Sequence, residues 1–344
     1  MDRLIQTGVY KDLRMRPGFG SFMHPFEERL RLIKQLGVND ILLNMYRNEL
    51  IDTNYGELPL PGDKKWEYSD LKKLREQIED HDLRLQAIEN LPFHFYDKLM
   101  MGAQGKNEQL NYVKETIYNI GKAGIPVLGY AWTPSGVWRS STKYKIRGGA
   151  EAMSVDLSDF EDAPLTHGRV YSENEMWDNY QYFIESVIPV AEEVGLTLAL
   201  HPNDPPTSTL GGVPQLFRSF EAFKKAMNMV KSDHHGLQFC LGSWSEMGVN
   251  LDEVIDYFGP AGKFIYVHFQ VVSGPVPKFH EIFIDQPGYY DPLHILQKLK
   301  DVGFKGMIMP GHVPKVEGDG PWKERSRAFT IGYIKGLLYA LGIK

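Results

Sequence analysis

Cysteine is almost missing from this chain: Cys240 stands alone among 344 residues, so no intrachain disulfide can form and no cysteine framework reports on redox compartment. No stretch approaches the ~18 consecutive apolar residues of a membrane span, and Met1-Asp2-Arg3-Leu4-Ile5-Gln6 opens without the apolar run of a secretory signal. The expectation is a soluble, cytoplasmic protein with no membrane partner. Blocks of Lys and Arg are missing too. With 38 basic residues against 44 acidic ones the net charge is −6, which argues against nucleic acid as a partner. No Gly-x-Gly-x-x-Gly turn follows an early apolar run, which removes the usual dinucleotide signature. Gly18-Phe19-Gly20 reads as a turn only.

What is present suffices for a sizeable core: 42% of residues are hydrophobic and 24% charged. One phrase recurs along the chain. An amphipathic helical stretch ends in Gly or His-Asp, and a short apolar run follows that closes on polar residues. The runs are Val38 to Asn44, Leu83 to Asn90, Ile125 to Ala131, Leu196 to His201, Leu237 to Cys240, Lys263 to His268 and Phe304 to Pro310. A Gly after a helix adopts the left-handed C′ conformation cheaply, and a short continuous apolar run suits a strand buried on both faces. Helical patterns cover Glu27 to Gln35, Ser69 to Asp80, Asn107 to Lys122, Glu175 to Glu193, Ser219 to Val230, Asp291 to Lys300 and Lys323 to Leu341. Seven strands alternating with helices predict a (β/α)8 TIM barrel spanning the whole chain as one α/β domain. The eighth strand is expected within Leu13 to Arg16. Residues 132–174, rich in Gly, Ser, Pro and charge, exceed an ordinary βα loop and read as an inserted lid or mobile segment after strand 4.

Barrel chemistry lives at the carboxyl ends of the strands. Those ends carry Glu89, His201, Cys240, His268 and His312. His201, Cys240 and His268 close three successive strands, and two imidazoles with a thiolate suit a divalent metal ion. Each residue also has a plainer role open to it, as a strand cap or, for Cys240, a small buried hydrophobe. Two prolines stiffen the His201-Pro202-Asn203-Asp204-Pro205-Pro206 turn and fix Asn203 and Asp204 relative to His201. Glu89 and His94 bracket Leu91-Pro92-Phe93, where the carboxylate is either a base, a substrate anchor or a structural ion-pair member. Trp132, Trp138, Tyr144, Arg139 and Arg147 crowd the insert. Such rings stack on sugars and guanidinium groups clamp carboxylates, although the same residues also serve to pack the insert.

The segments Ile188-Pro189-Val190-Ala191-Glu192-Glu193-Val194-Gly195, His201 to Pro206, Leu210-Gly211-Gly212-Val213-Pro214, Phe239-Cys240-Leu241-Gly242-Ser243, Phe258-Gly259-Pro260, Val267-His268 and Phe279-His280-Glu281 resemble the mannonate dehydratases. Glu89 to His94 and Ile331 to Leu337 agree more weakly. The resemblance implies a xylose-isomerase-like barrel that uses manganese (Mn2+) to remove water from a six-carbon sugar acid. It assigns His201, Cys240 and His268 as metal ligands. The family's fourth ligand, an Asp in Pro-Asp-His-Gly-His, falls here in Pro310-Gly311-His312-Val313-Pro314, so that carboxylate is missing. On the register of Ile331-Gly332, the family's active-site tyrosine is Ala328, preceded by Arg327. Its Arg-Asn after the strand-seven His is Gln270-Val271, and Asn203 stands where it has an acidic residue.

The resulting expectation is a metal-dependent lyase acting on a sugar acid, in carbohydrate metabolism. His312 and His280 are the proton-transfer candidates with Glu89 and Asp204 sharing the work. Arg139, Trp132, His94, Asn203 and Gln270 are the candidates for holding substrate. A sugar isomerase or epimerase of the same superfamily and a catalytically silent sugar-acid binder remain open, as does association into a homo-oligomer.

Overall fold

The computed structural model describes residues 13–46 and 58–343. The elements run β1 (Arg16–Phe22), α1 (Glu27–Gln35), β2 (Asp40–Asn44), α2 (Tyr68–Glu79), β3 (Arg84–Glu89), α3 (Asp97–Met100), α4 (Lys106–Lys122) and β4 (Val127–Ala131). The insert contributes β5 (Ser141–Lys145) and β6 (Glu151–Asp156), before α5 (Glu173–Val194) and β7 (Thr197–His201). A short ribbon of β8 (Thr209–Leu210) and β9 (Val213–Pro214) precedes α6 (Phe220–Met229), β10 (His235–Cys240), α7 (Leu241–Glu246), α8 (Leu251–Phe258) and β11 (Phe264–Phe269). Then follow β12 (Val271–Val272), β13 (Lys278–Ile282), α9 (Pro292–Asp301), β14 (Met307–Pro310) and α10 (Glu324–Ala340). Eight parallel strands close into a barrel in the order β1-β14-β11-β10-β7-β4-β3-β2. Among the described residues, no helix is long and apolar enough to cross a membrane.

The recurring phrase works physically as expected at most of its sites. Gly195 ends α5 with φ +68°, and Asp82, at φ +55°, takes the same left-handed turn before β3. Helix α5 places Met176, Tyr180, Phe183, Val187 and Ala191 on one buried stripe, the i, i+3/4 spacing of a helix packed against a sheet. Ser172 and Glu175 form a capping box at its start, a device that contributes roughly 1 kcal/mol. The main core lies between strands and helices. A second cluster, including Leu42, Ala87, Ala199, Tyr266, Met307 and Met309, fills the barrel interior.

One expectation fails at the amino end. The eighth strand is Arg16–Phe22, not Leu13 to Arg16, and Gly18-Phe19-Gly20 lies within it rather than in a turn. A Cβ on Gly18 would overlap the Met307 side chain, and one on Gly20 would press on Met309 at 2.9 Å. The glycines make room for long side chains arriving from β14, a demand that no local pattern displays.

The insert also has a definite place. β5 and β6 extend an antiparallel sheet in the order β12-β13-β6-β5, with Phe279 of β13 paired to Val155 of β6. This sheet hangs from the segment after β11. Its residue Glu281 is thereby carried to the barrel mouth.

Candidate metal centre

The strand registers bring the three candidate ligands together. Cys240 of β10 lies opposite His268 of β11, and β7, which ends at His201, borders β10 on its other side. One donor atom from each of His201, Cys240 and His268 falls within 4.8 Å of the other two. Among the described residues no carboxylate joins them.

The donor chemistry fits a divalent ion. His201 Nδ1 is 2.6 Å from the Pro202 carbonyl oxygen, so Nδ1 carries the proton and Nε2 keeps a lone pair for a metal. Burial and the neighbouring His268 ring push the His201 pKa down to about 4, leaving the ring neutral. The Ser243 hydroxyl donates to Cys240 Sγ at 3.4 Å. Burial pushes the thiol's pKa up, against the pull of Ser243, and a cation is what would hold sulfur as thiolate there. His268 Nε2 sits 2.9 Å from Glu89 Oε2, and the Gln238 amide nitrogen lies 2.9 Å from the same ring atom. Burial would raise the Glu89 pKa, yet the His268 and His201 rings with the Gln238 amide outweigh it and hold Glu89 below the usual range. Asn44 donates to its other oxygen at 3.1 Å.

A second polar group lies beside the trio. Asp204 pairs with the Arg139 guanidinium, both side chains being less than a tenth exposed. Glu246, the last residue of α7, is 1% exposed. Burial and then the Asp204 charge raise its pKa well above the ordinary value, which favours the protonated carboxyl. Glu281 completes the group by accepting from His312 Nδ1 at 2.7 Å. Burial opposes its ionisation, but the His312 ring beside it keeps Glu281 a carboxylate. Fixing Nδ1 in this way leaves His312 Nε2 as the ring's free proton-exchanging atom.

Other expected site residues are not brought to the trio. His94 is exposed on the short turn after β3 and packs edge-on against Phe95. Trp132 is buried among Tyr96, Tyr180 and Phe183. Asn203 is fully buried, its amide donating to the Trp132 carbonyl and its oxygen accepting from Phe217 N, so it locks the turn. His280 stacks on Tyr144 with ring centroids 4.6 Å apart. Strand alternation turns its neighbour Glu281 to the other face, where it meets His312. Glu246 gave no pattern to find, since α7 starts directly at the end of β10 without a loop.

Gln270 explains the glycine at 311. Its Oε1 accepts from His312 N at 2.6 Å, and a Cβ built on Gly311 would overlap that oxygen. A Cβ on Gly242 would overlap its Nε2. The amide therefore fills the space that a side chain at 311 needs. Gly311→Asp alone is expected to destabilise the fold by about 1–3 kcal/mol, as overpacking does, without tightening metal binding. Adding Gln270→Ala should recover most of the loss. Thermal melts of the parent and the two variants check this, and a single Gly311→Asp variant as stable as the parent would contradict it.

The profile of the D-mannonate dehydratase (UxuA) family matches residues 24–169 and 164–344. The chain is 27% identical over 311 residues to mannonate dehydratase 2 of Halalkalibacterium halodurans, covering 80% of this chain and 88% of that one. It is 28% identical over 321 residues to mannonate dehydratase of Thermotoga maritima, covering 83% and 87%. Among solved structures, mannonate dehydratase from Streptococcus suis serotype 2 superposes with a TM-score of 0.82 at 24% identity, covering 96% of this chain and 95% of that chain. A xylose isomerase domain protein from Planctomyces limnophilus gives 0.61 at 9% identity, over 96% and 99%. These structural likenesses speak to the barrel fold.

Proposed function

The chain belongs to the D-mannonate dehydratase family, and on that premise we propose that it is a metal-dependent carbon–oxygen lyase that removes water from a sugar acid. The observation that carries the reading is the convergence of His201, Cys240 and His268 at the carboxyl ends of adjacent strands, beside a histidine oriented by a buried carboxylate.

In this reading His201, Cys240 and His268 hold the ion, and manganese is the proposed metal. When bound, the ion would supply a Lewis acid for negative charge on the substrate oxygens next to it. The chain's own residues manage the protons. Glu89, buried and ionised against His268, is placed to accept one. His312, held at Nδ1 by Glu281, can exchange another through Nε2 with a departing hydroxyl. Asp204 and Arg139 neutralise each other and shape the wall beside the trio. A cytosolic setting is proposed with this, because a reducing compartment keeps the single Cys240 from oxidising.

The test is direct. Protein loaded with Mn2+ is incubated with a panel of aldonic and uronic acids, and the 2-keto-3-deoxy product is read by its periodate–thiobarbiturate colour. Turnover of one or more aldonates, mannonate among them, is expected. Interconversion of sugars without that colour would move the chain to an isomerase, and sugar-acid binding without any turnover would make it a binder.

A further inference from the structure

Beside His312 the barrel mouth encloses a cavity of about 310 Å3. Its lining is electrically one-sided. His24, Arg29, His312, Lys323 and Arg327 border it, and among the described residues no Asp or Glu does, in a chain whose net charge is −6.

Two of these residues have an unusual setting. Arg327 is 7% exposed and makes no ion pair among the described residues. Its Nε donates to the Trp322 carbonyl at 3.2 Å, and Nη1 donates to the Gly20 carbonyl at 2.5 Å. Its Nη2 has no hydrogen-bond partner among the described residues, and Arg327 lines the cavity. Lys323 sits in the left-handed region at φ +57°, a conformation that is strained for a residue with a Cβ. Its Nζ donates to the Val313 carbonyl at 2.7 Å and keeps two further hydrogens. Burial lowers the lysine's pKa, Glu281 opposing. A buried cation held only by neutral carbonyls is costly unless an anion arrives to complete it.

We propose that Lys323 and Arg327 receive the carboxylate of the sugar acid in this cavity, with the polyol chain directed toward Asn44 and Glu89. The inference rests on the lyase reading above and names where its substrate's charge sits. Asn44 lines the cavity and donates to Glu89, whose other oxygen faces His268. A carboxylate held at the Lys323 side thus shares its cavity with His312 and with Asn44, which is bonded to Glu89. Arg139, the earlier candidate for the carboxylate clamp, already has Asp204 as its partner. Charge-assisted hydrogen bonds from two cations suit an anion in general, so a sugar phosphate is the alternative that the experiment must separate.

Titration calorimetry of the metal-loaded protein with D-mannonate, mannitol and mannose 6-phosphate decides the matter. The parent protein is expected to prefer mannonate to mannitol by about 100-fold, and Lys323→Asn to lose at least about tenfold of that preference. Asn tolerates the left-handed backbone, so this variant should fold. Arg327→Gln should lose a comparable factor. If its buried position prevents folding, Lys323→Asn alone carries the test. Full preference for mannonate in Lys323→Asn overturns this assignment and leaves the lyase reading standing. Tighter binding of mannose 6-phosphate than of mannonate overturns the choice of carboxylate. A parent protein with no preference for mannonate overturns both readings together.

Discussion

Replacing His268 by alanine should strip the protein of its ion and lower turnover on the order of 10³-fold. A Lewis acid contributes several kcal/mol of charge stabilisation, at about 1.4 kcal/mol per decade of rate. The effect is large because the ring has two neighbours that depend on it. It is 5% exposed, and Glu89 and the Gln238 amide both close on it within 3 Å. Its removal takes away one donor of three and leaves the buried Glu89 carboxylate without its nearest counter-group. Metal content after gel filtration and competition with a chelator read the first consequence without any need for turnover. Cys240→Ala should behave in the same way, since the sulfur lies between the two rings in strand order. Metal retained at full stoichiometry in His268→Ala would remove the trio as ligands.

The next largest effect concerns stability. Arg139→Met is expected to cost about 3–5 kcal/mol, the range for removing one partner of a buried ion pair. It leaves Asp204 beside Glu246 with no cation between them. The penalty has a predictable pH dependence. In the parent the Asp204 pKa is lowered from 3.8; burial opposes this and the Arg139 charge outweighs it. The stability it contributes is therefore present above its unfolded value and disappears as pH falls through the folded one. The Arg139→Met deficit should thus be widest above about pH 4 and shrink in acid. Glu246 has the opposite sign. Its pKa is raised above 4.5, so it stabilises the fold below that value and the contribution is lost as pH rises toward the folded pKa. Glu246→Gln, which fixes the neutral form, should be neutral or stabilising above pH 7, whereas Asp204→Asn strands Arg139 and should destabilise. Denaturant melts at pH 5 and pH 8 separate these variants. Equal losses in Glu246→Gln and Asp204→Asn would show that the charge is distributed differently.

Much of the barrel was legible because helix ends and buried strands leave local marks. Seven runs fell on strands, and the predicted helices matched within a few residues. The strand that escaped, β1, has glycines whose purpose is to accommodate Met307 and Met309 from a strand nearly 300 residues away. Helix α7 escaped for a related reason, since its six residues are all buried and show no polar face to give a period.

The site divides along the same line. His201, Cys240 and His268 could be read from the chain because strand-end position is a local property and a closed barrel puts successive strand ends side by side. Glu246, Glu281, Lys323 and Arg327 could not, since what matters about each is a neighbour brought by another element. Burial and the Asp204 charge raise the Glu246 pKa, and His312 meets Glu281 on a strand of the antiparallel sheet. The sequence alone determined the fold class and the donor types, through periodicity and residue chemistry. Only the tertiary structure decided which carboxylates carry charge and which cations remain unpaired, because burial and Coulomb interaction depend on distances in space and not on separation along the chain.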